Sequence, residues 1–353
     1  MFEVPGSGFR VPRSRFVSPT VSELRKDPVT GRWVIISTER RKRMSDFHLE
    51  SVEVPPDPNC PFCEGHEQMT PAELYAHRVD GSGPNAPGWN LRVVPHLFPV
   101  LRVEGTLDRQ GEGLFDKMNG IGAHEVIIES PRHEDTLAGM GEKAVEEVFW
   151  AARERVRDLK RDHRFRYIII FKNHGGAAGS TLGHSHSQLI ALPIVPREVR
   201  DEVDGAKAHY QAKERCVFCD ILRQETGEGK RLIAENADMV AVAPYAPRFP
   251  FESWILPRRH QSNFEDAPRH EYASLARLLV DLLRRMNATV GSRPYNLLIH
   301  SAPMREDAGE YYHWHVELIP TLTKVAGFEW ATGFHVNPTA PEEAAEVLRG
   351  ARV

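Results

Sequence analysis

The pattern of hydrophobic and polar positions predicts short β-strands with a long amphipathic helix among them. Apolar and β-branched runs typical of strands occur at residues 33–36, 91–95, 124–130 and 167–171. Val and Phe residues near helical spacing predict an amphipathic helix over residues 141–162. Each of these segments needs a partner to cover its apolar side. The pattern predicts a chain that combines strands with helices.

The second half of the chain repeats this order. A Cys-x-x-Cys pair at 216–219 comes first, followed by a strand at 240–244 and a second strand at 251–260 that ends in Arg-His. A helix at 268–287, a further strand at 295–300 and a His-x-His strand at 312–320 complete the order. Six landmarks in a fixed order indicate a tandem duplication. We therefore predict a loosely held arm at 1–20, a first unit at 21–200 and a second unit at 201–353.

Composition limits the classes of function. The chain has 353 residues, 41% hydrophobic and 27% charged, with a formal net charge of -4. This balance argues against binding nucleic acid through bulk positive charge, although a nucleotide ligand stays possible. No apolar run approaches the roughly 20 residues that span a bilayer, and the N-terminus lacks the apolar core of a secretory signal. We expect a cytoplasmic enzyme with no membrane or nucleic-acid partner.

The four cysteines form two Cys-x-x-Cys pairs, Cys60 with Cys63 and Cys216 with Cys219. In a cytosolic chain this spacing indicates metal or redox chemistry before structural disulfides. A thioredoxin-like site would need one reactive pair and would leave the second unexplained. Two thiolate pairs, each completed by two further ligands, match tetrahedral zinc sites.

The duplication supplies the missing ligands by the same rule in each half. We predict two Cys₂His₂ zinc sites, one at Cys60, Cys63, His133 and His184 and the other at Cys216, Cys219, His260 and His313. Four protein ligands leave no position for substrate, so both Zn²⁺ ions are predicted to be structural.

The two His-x-His strands differ in what surrounds them. His184, His186 and Gln188 alternate along a predicted strand and share a face. With His184 assigned to a metal, His186 is free. The second half has Glu317 where the first has Gln188, and only the first has the glycine-rich approach at residues 175–181. We therefore place the chemistry in the first half.

A neutral imidazole is a nucleophile near pH 7, provided that an acceptor orients its other nitrogen. Attack of His186 on phosphorus would form a phosphoramidate, and Gln188 can donate an amide N–H to a phosphoryl oxygen. Small residues in the glycine-rich approach let backbone N–H groups come near phosphate. These features favour phosphoryl or nucleotidyl transfer, since no G-x-S-x-G or Walker A motif is present.

These motifs, in this order, resemble the galactose-1-phosphate uridylyltransferase family of the histidine-triad (HIT) superfamily. The likeness runs from Asp27-Pro28-Val29-Thr30-Gly31 to the region around Pro341, and includes Cys60-Pro61-Phe62-Cys63, Gly122-Ala123-His124-Glu125-Val126 and Ala326-Gly327-Phe328-Glu329. It implies tandem HIT-like α+β units with helices packed on antiparallel sheet, a homodimer, and ping-pong transfer of a nucleoside monophosphate from a nucleotide sugar through His186 to a sugar 1-phosphate or phosphate.

The resemblance also implies roles for residues that the spacing alone does not single out. The implied contacts to nucleotide, phosphate and sugar come from Arg40, Arg43, His96, Asn173, Gly179, Ser180, Thr181, Lys324, Phe328 and Glu329. Gln188 joins His186 as the implied catalytic pair.

Several positions depart from the best-known bacterial members. Ser185 stands where those enzymes have Pro, His96 where they have Asn, and Phe328 and His335 where they have Tyr and Gln. The stretch from Ala326 is similar to a divergent branch that includes ADP-glucose phosphorylase. We expect a UDP-glucose:hexose-1-phosphate uridylyltransferase, with an ADP-glucose phosphorylase-like adenylyltransferase as the alternative. An alternative of another class is a zinc-stabilised nucleotide-binding protein without catalysis.

Overall fold

One continuous antiparallel sheet runs through both halves of the chain. A computed structural model describes residues 21–37 and 51–353. The arm predicted at residues 1–20 lies outside the described residues. The α+β prediction is confirmed, and the repeat is visible in the order of the elements.

The first half contains nine strands and one long helix among its described residues. The strands are β1 (Glu23–Lys26), β2 (Trp33–Ile36), β3 (Tyr75–Arg78), β4 (Trp89–Pro95), β5 (Gln110–Glu112), β6 (Phe115–Lys117), β7 (Ala123–Ile128), β8 (Tyr167–His174) and β9 (His186–Leu192). Helix α1 spans Glu142–Leu159, close to the predicted 141–162. Its buried Val145, Phe149 and Ala152 lie on the side that faces the sheet.

The second half follows the same plan with additional helices. Its elements are α2 (Arg197–Lys213), α3 (Val217–Glu228), β10 (Leu232–Glu235), β11 (Met239–Val242), β12 (Ser253–Pro257), α4 (Arg269–Val290), β13 (Tyr295–His300), β14 (His315–Pro320), α5 (Gly327–Thr332), β15 (His335–Asn337) and α6 (Pro341–Gly350). The sequence predicted α4 but not α2 or α3. The predicted division between residues 200 and 201 falls inside α2, and the division into two units stays a prediction.

The ten-stranded sheet has the order β10-β11-β12-β14-β13-β8-β9-β7-β4-β3. Five strands come from each half, and β8 and β13 pair antiparallel at the centre. In their register Asn173 lies opposite Asn296, and Ile170 opposite Ile299. The repeats are therefore joined edge to edge by backbone hydrogen bonds, which leaves neither central strand as an open edge.

Helices α1 and α4 pack side by side on one face of this sheet and enclose the main core. Trp314, Phe264 and Tyr272 are among its largest fully buried side chains. Because strand residues alternate between faces, His186 and Gln188 project from the opposite face. In the second half, α2 and α3 cover that opposite face, where Phe218 and Trp254 belong to a separate apolar cluster.

A small second sheet, β1-β2-β15, lies beside the second half. Asn337 of β15 donates its side-chain amide to the Pro247 carbonyl, and Arg25 of β1 pairs with Glu342 of α6. Among the described residues, no helix is both long and apolar enough to cross a membrane.

Candidate active site and metal-ligand groups

The structure brings the first four predicted metal ligands together. Cys60, Cys63, His133 and His184 form the first metal-ligand group, with their ligand atoms within 4.8 Å of one another. The Cys60 Sγ lies 3.5 Å from the His184 Nδ1, and the Cys63 Sγ lies 3.5 Å from the His133 Nδ1. The cysteines come from a turn, His133 follows β7, and His184 precedes β9.

The second metal-ligand group is Cys216, Cys219, His260 and His313, also with ligand atoms within 4.8 Å of one another. The Cys219 Sγ lies 3.3 Å from the His260 Nδ1 and 3.6 Å from the His313 Nδ1. Here the cysteines lie at the start of α3, Cys216 as the residue before its first turn. The structure thus brings together both sets of four residues that the duplication paired, although the local backbone that carries the cysteines differs.

These groups fit a tetrahedral zinc ion. Zinc–sulfur and zinc–nitrogen bonds of about 2.3 and 2.0–2.1 Å at a tetrahedral angle separate the ligand atoms by about 3.5 Å. The sulfur–nitrogen distances of 3.3–3.6 Å agree. Burial and the neighbouring Cys60 raise the pKa of Cys63 to about 11, and a bound Zn²⁺ would favour its thiolate.

The outer nitrogens of three ligand histidines are already oriented. His184, His260 and His313 each place Nε2 at 2.7–2.9 Å from a backbone carbonyl, of Ser130, Gly309 and Pro257 respectively. A carbonyl only accepts, so Nε2 carries the proton and Nδ1 presents its lone pair to the group. Such carbonyl contacts fix the ring and tautomer of metal-binding histidines.

His186 is held for nucleophilic attack. Its Nδ1 lies 2.7 Å from the His184 carbonyl oxygen, so Nδ1 donates and the Nε2 lone pair is left for an electrophile. The side chain is 7% exposed. Burial, and then the positive charge of Lys172, lower the pKa of His186 to about 4. The imidazole is therefore neutral at pH 7, as the predicted chemistry requires.

Gln188 has one end of its amide fixed. The Val100 N–H donates to the His124 Nδ1 at 3.3 Å, which places the ring proton of His124 on Nε2. That Nε2 lies 2.8 Å from the Gln188 Oε1. Because the carbonyl end accepts from His124, the amide NH₂ points elsewhere and can donate to a phosphoryl oxygen.

His96 lies beside this pair. Its ring stacks on the His124 ring with centroids 4.1 Å apart and planes 15° from parallel. The structure thus places His96 at the Gln188 end of the site. His124 has no role in the sequence-based assignment, where it marked only the start of a strand. Its spacing from His133 gave no indication that it would contact Gln188.

The glycine-rich approach forms one wall of a cavity of about 940 Å³. Ser180, Thr181 and Lys324, three of the predicted substrate contacts, line this cavity. Gly175 and Gly179 have φ of 82° and 93°, which is the left-handed region that favours glycine. These turns expose the backbone along a cavity whose wall reaches Gly183, next to the first metal-ligand group.

Asn173 lies where β8 of the first half pairs with β13 of the second half. Its Oδ1 accepts from the Asn296 amide at 2.8 Å, and the same Asn296 amide donates to the Ala178 carbonyl at 2.9 Å. The glycine-rich turn is therefore fastened to both halves of the sheet. Asn173 positions that turn as well as lying near His186 along the face of β8.

Of the remaining predicted contacts, the two on α5 are not assembled with His186. Arg40 and Arg43 lie outside the described residues. Phe328 and Glu329 lie on α5, where Glu329 accepts from the Ala326 N–H and the Phe328 ring is 6.4 Å from that of Phe334. Within residues 21–37 and 51–353, no recorded hydrogen bond or ring contact joins them to His186.

The second half has a corresponding histidine with a different environment. His315 also places its Nδ1 near a backbone carbonyl, that of His313, at 3.1 Å. Its Nε2, however, lies 3.4 Å from the Glu202 carboxylate of α2, and its ring stacks on His300 at 4.7 Å. His315 is fully enclosed and cannot meet a substrate phosphorus. This difference supports the first half as the reactive one.

Glu202, His300 and His315 form a further cluster of potential metal ligands that the sequence did not indicate. His300 also lies between two carboxylates, 3.1 Å from Glu202 and 3.5 Å from Glu317. Burial opposes its charge, but those two carboxylates raise the pKa of His300 to about 10. The cluster is a buried set of ion pairs at the place where the first half keeps its open site.

Comparison with known proteins identifies the family. The family models for the N-terminal and C-terminal domains of galactose-1-phosphate uridyl transferase match residues 93–196 and 202–349. ADP-glucose phosphorylase of Arabidopsis thaliana is 38% identical over 333 residues, covering 93% of this chain and 92% of the relative. Galactose-1-phosphate uridylyltransferase of Thermotoga maritima is 29% identical over 340 residues, covering 94% and 99%.

Solved structures agree. The fold matches a crystal structure of an ADP-glucose phosphorylase from Arabidopsis thaliana with bound ADP-glucose, with a TM-score of 0.81, 35% identity and coverage of 94% of this chain and 100% of that one. A uridylyltransferase structure matches with a TM-score of 0.72, 27% identity and coverage of 93% and 97%. Fold and site together define a duplicated nucleotidyltransferase. The chain belongs to the galactose-1-phosphate uridylyltransferase family.

Proposed function

We propose that the protein transfers an adenylyl group from ADP-glucose to inorganic phosphate through a covalent intermediate on His186. The observation that carries the chemistry is the His186 Nδ1–H held by the His184 carbonyl, which leaves Nε2 nucleophilic. The choice of adenine is supported by the 38% identity to an ADP-glucose phosphorylase over nearly the full length of both chains. This is the alternative of the two activities expected from the sequence.

The reaction has two displacements at the α-phosphorus. The His186 Nε2 attacks and forms an N–P bond, while the bond from phosphorus to the bridging oxygen breaks and glucose 1-phosphate leaves. The adduct carries a positive imidazolium, whose Nδ1–H stays on the His184 carbonyl. A phosphate oxygen then attacks the same phosphorus, the N–P bond breaks, and ADP and neutral His186 are released. Gln188 donates to the phosphoryl oxygen in both steps.

The glycine-rich cavity would hold the phosphates and the sugar. Lys324 supplies a positive charge there and Thr181 supplies a hydroxyl donor. The Ser180 hydroxyl donates to the Leu182 carbonyl at 2.8 Å and would turn from it to meet phosphate. His96 would border the base, because its ring, stacked on that of His124, stands at the Gln188 end of the site. Arg40 and Arg43 complete the proposed phosphate contacts.

Both metal-ligand groups are proposed to hold structural Zn²⁺. Each offers two sulfurs and two imidazole nitrogens at zinc spacing, and four protein ligands close the site to substrate. When bound, the ions fix the loops that carry the ligands. The first ion also fixes His184, and through it the carbonyl that orients His186.

A homodimer and a cytoplasmic location complete the proposal. Phe328 and Trp330 on α5 are 50% and 79% exposed, which supports a contact with another copy. Light scattering of the purified protein should give twice the chain mass of 40.0 kDa.

The decisive experiment presents the protein separately with ADP-glucose and UDP-glucose, each labelled with ³²P at the α-phosphorus. We expect acid-labile label on the protein from ADP-glucose, chased by phosphate into ADP. His186→Gly should abolish the label, whereas His315→Gln, the matched change in the second half, should retain it. Label from UDP-glucose alone, chased by galactose 1-phosphate, would establish the uridylyl activity that the Thermotoga maritima relative represents. Label from neither would support the non-catalytic alternative.

A further inference from the structure

A buried ion pair lies behind the strand that carries His186. Lys172 of β8 and Glu129, the residue after β7, are each 1% exposed. The Lys172 Nζ lies 2.7 Å from the Glu129 Oε2. Neither residue belongs to a metal-ligand group, and neither takes part in a step of the reaction proposed above.

The Glu129–Lys172 pair makes hydrogen bonds to β9 and the residue before it, on both sides of His186. Ser185 and Ser187 flank His186, and because strand residues alternate, their side chains leave the sheet on the opposite face. Their hydroxyls donate to the two oxygens of Glu129, at 2.6 Å from Ser185 and 2.5 Å from Ser187. Lys172 donates to the His186 carbonyl oxygen at 3.0 Å.

The same contacts reach the backbone that orients the imidazole. The Glu129 N–H donates to the Ser185 carbonyl at 3.2 Å, and Lys172 also donates to the Ser185 hydroxyl at 3.0 Å. The segment from His184 to Ser187 is thus fixed at its start by the first metal-ligand group and along the rest by this pair. The His184 carbonyl that holds the His186 Nδ1–H lies within this segment.

Stability alone does not account for such a pair. Burying both charges costs desolvation free energy. Replacing a buried ion pair by well-packed apolar side chains of similar volume commonly leaves the free energy of unfolding unchanged or raises it. A rigid, fully hydrogen-bonded network does, however, restrict a backbone segment to one position. An active-site histidine must be placed to within a fraction of an ångström.

We propose that Glu129 and Lys172 are positioning residues, which act through Ser185 and Ser187 to hold the His186 imidazole in line with the substrate phosphorus. The inference rests on the proposed function of His186. It adds two charged residues and two serines that touch no substrate but set the rate at which His186 attacks.

The test replaces the whole pair by apolar side chains, Glu129→Leu with Lys172→Met. The matched control is Glu125→Leu with Arg155→Met, which removes another buried pair in the same half, with 2.8 Å contacts between β7 and α1. We expect the test variant to form the His186 adduct about 10- to 100-fold more slowly, with KM for the nucleotide sugar within about threefold of wild type. The control variant should keep the wild-type rate per folded molecule.

Ser187→Ala is a smaller change that leaves the ion pair in place. It removes one hydroxyl donor to the buried Glu129 carboxylate. It should lower kcat about fivefold and Tm by a few degrees, with unchanged zinc content. If the double variant does not fold, this variant decides the outcome.

Unchanged kcat in the folded test variant, or in Ser187→Ala where only that variant folds, would overturn the inference. So would an equal loss of kcat in the control. Wild-type protein is labelled in the same experiment. Absence of label in wild type means failure of the proposed function, whereas label in wild type with equal rates in all variants means failure of this inference alone.

Discussion

The contact between His124 and Gln188 allows a graded prediction. His124→Phe keeps a ring that can stack on His96 but removes the Nε2–H that fixes the Gln188 amide. Gln188→Met keeps the side-chain length and removes the amide donor altogether. We expect both variants to slow formation of the His186 adduct, by different amounts.

The structure sets the two magnitudes. In the proposed reaction Gln188 donates directly to the phosphoryl oxygen, and loss of one such donor costs about 2.7–4 kcal/mol, or about 10²–10³ in rate. His124 makes one neutral hydrogen bond of 2.8 Å to the far end of that amide. Its net worth is about 1 kcal/mol, or about fivefold in rate. The double variant should match Gln188→Met alone, because His124 acts only through the amide.

The assay is single-turnover transfer of ³²P from α-labelled nucleotide sugar to the protein, quenched in base and counted. His124→Phe also removes the acceptor for the Val100 N–H, so the free energy of unfolding is measured alongside. Only variants that are folded at the assay temperature enter the comparison.

Two results would refute this reasoning. One is a loss for His124→Phe as large as that for Gln188→Met, which would give the imidazole its own contact with substrate. The other is a double variant whose loss is the product of the single losses, which would mean that the two side chains act independently.

Three further predictions concern the pH profile, the second metal-ligand group and a close backbone contact. Because the pKa of His186 is lowered to about 4, the rate of His186 labelling should stay level from pH 8 to about 5.5. At pH 5.5 an ordinary imidazole of pKa about 6.5 would have lost about tenfold in rate. The same pKa shift stabilises the folded protein above about pH 6.5, and acid unfolding should show this stabilisation being lost as the pH falls towards 4. Cys219→Ser should reduce zinc from two ions per chain to one and lower Tm. The initial rate at 25 °C should stay within about twofold of wild type, since β13 and β8 separate β14, which follows His313, from the strand of His186; metal analysis, calorimetry and a rate assay measure this. Gly205→Ala would place a Cβ 1.8 Å from the Val29 carbonyl oxygen, so urea unfolding should show a loss of about 1–3 kcal/mol despite the better helix propensity of Ala.

The duplicated pattern was strong enough to predict most of the central architecture. Helix α1 was expected at 141–162 and spans Glu142–Leu159, and α4 was expected at 268–287 and spans Arg269–Val290. The metal-ligand groups followed from aligning one half on the other. Such landmarks are short and occur in both halves, so an assignment made in one half can be tested against the corresponding stretch of the other.

What the sequence did not indicate depends on distant contacts. The pairing of β8 with β13 joins strands more than a hundred residues apart, and an apolar run does not reveal its partner strand. Lys172 gave no signal because a single charge in an apolar strand is uninterpretable until its partner Glu129 is placed beside it. The helical placement of Cys219 was also hidden, because Cys-x-x-Cys fits a turn and a helix start equally well.

The connection between the repeats has a consequence for how such a protein can diverge. Two copies of a unit joined head to tail have a single linker, and here that linker includes α2, which carries Glu202 into the place facing His315. Among the described residues no helix stands in the corresponding place before the first copy. Covalent linkage therefore makes the two copies unequal by topology: the linker between them supplies a helix to the second copy, where its Glu202 faces His315.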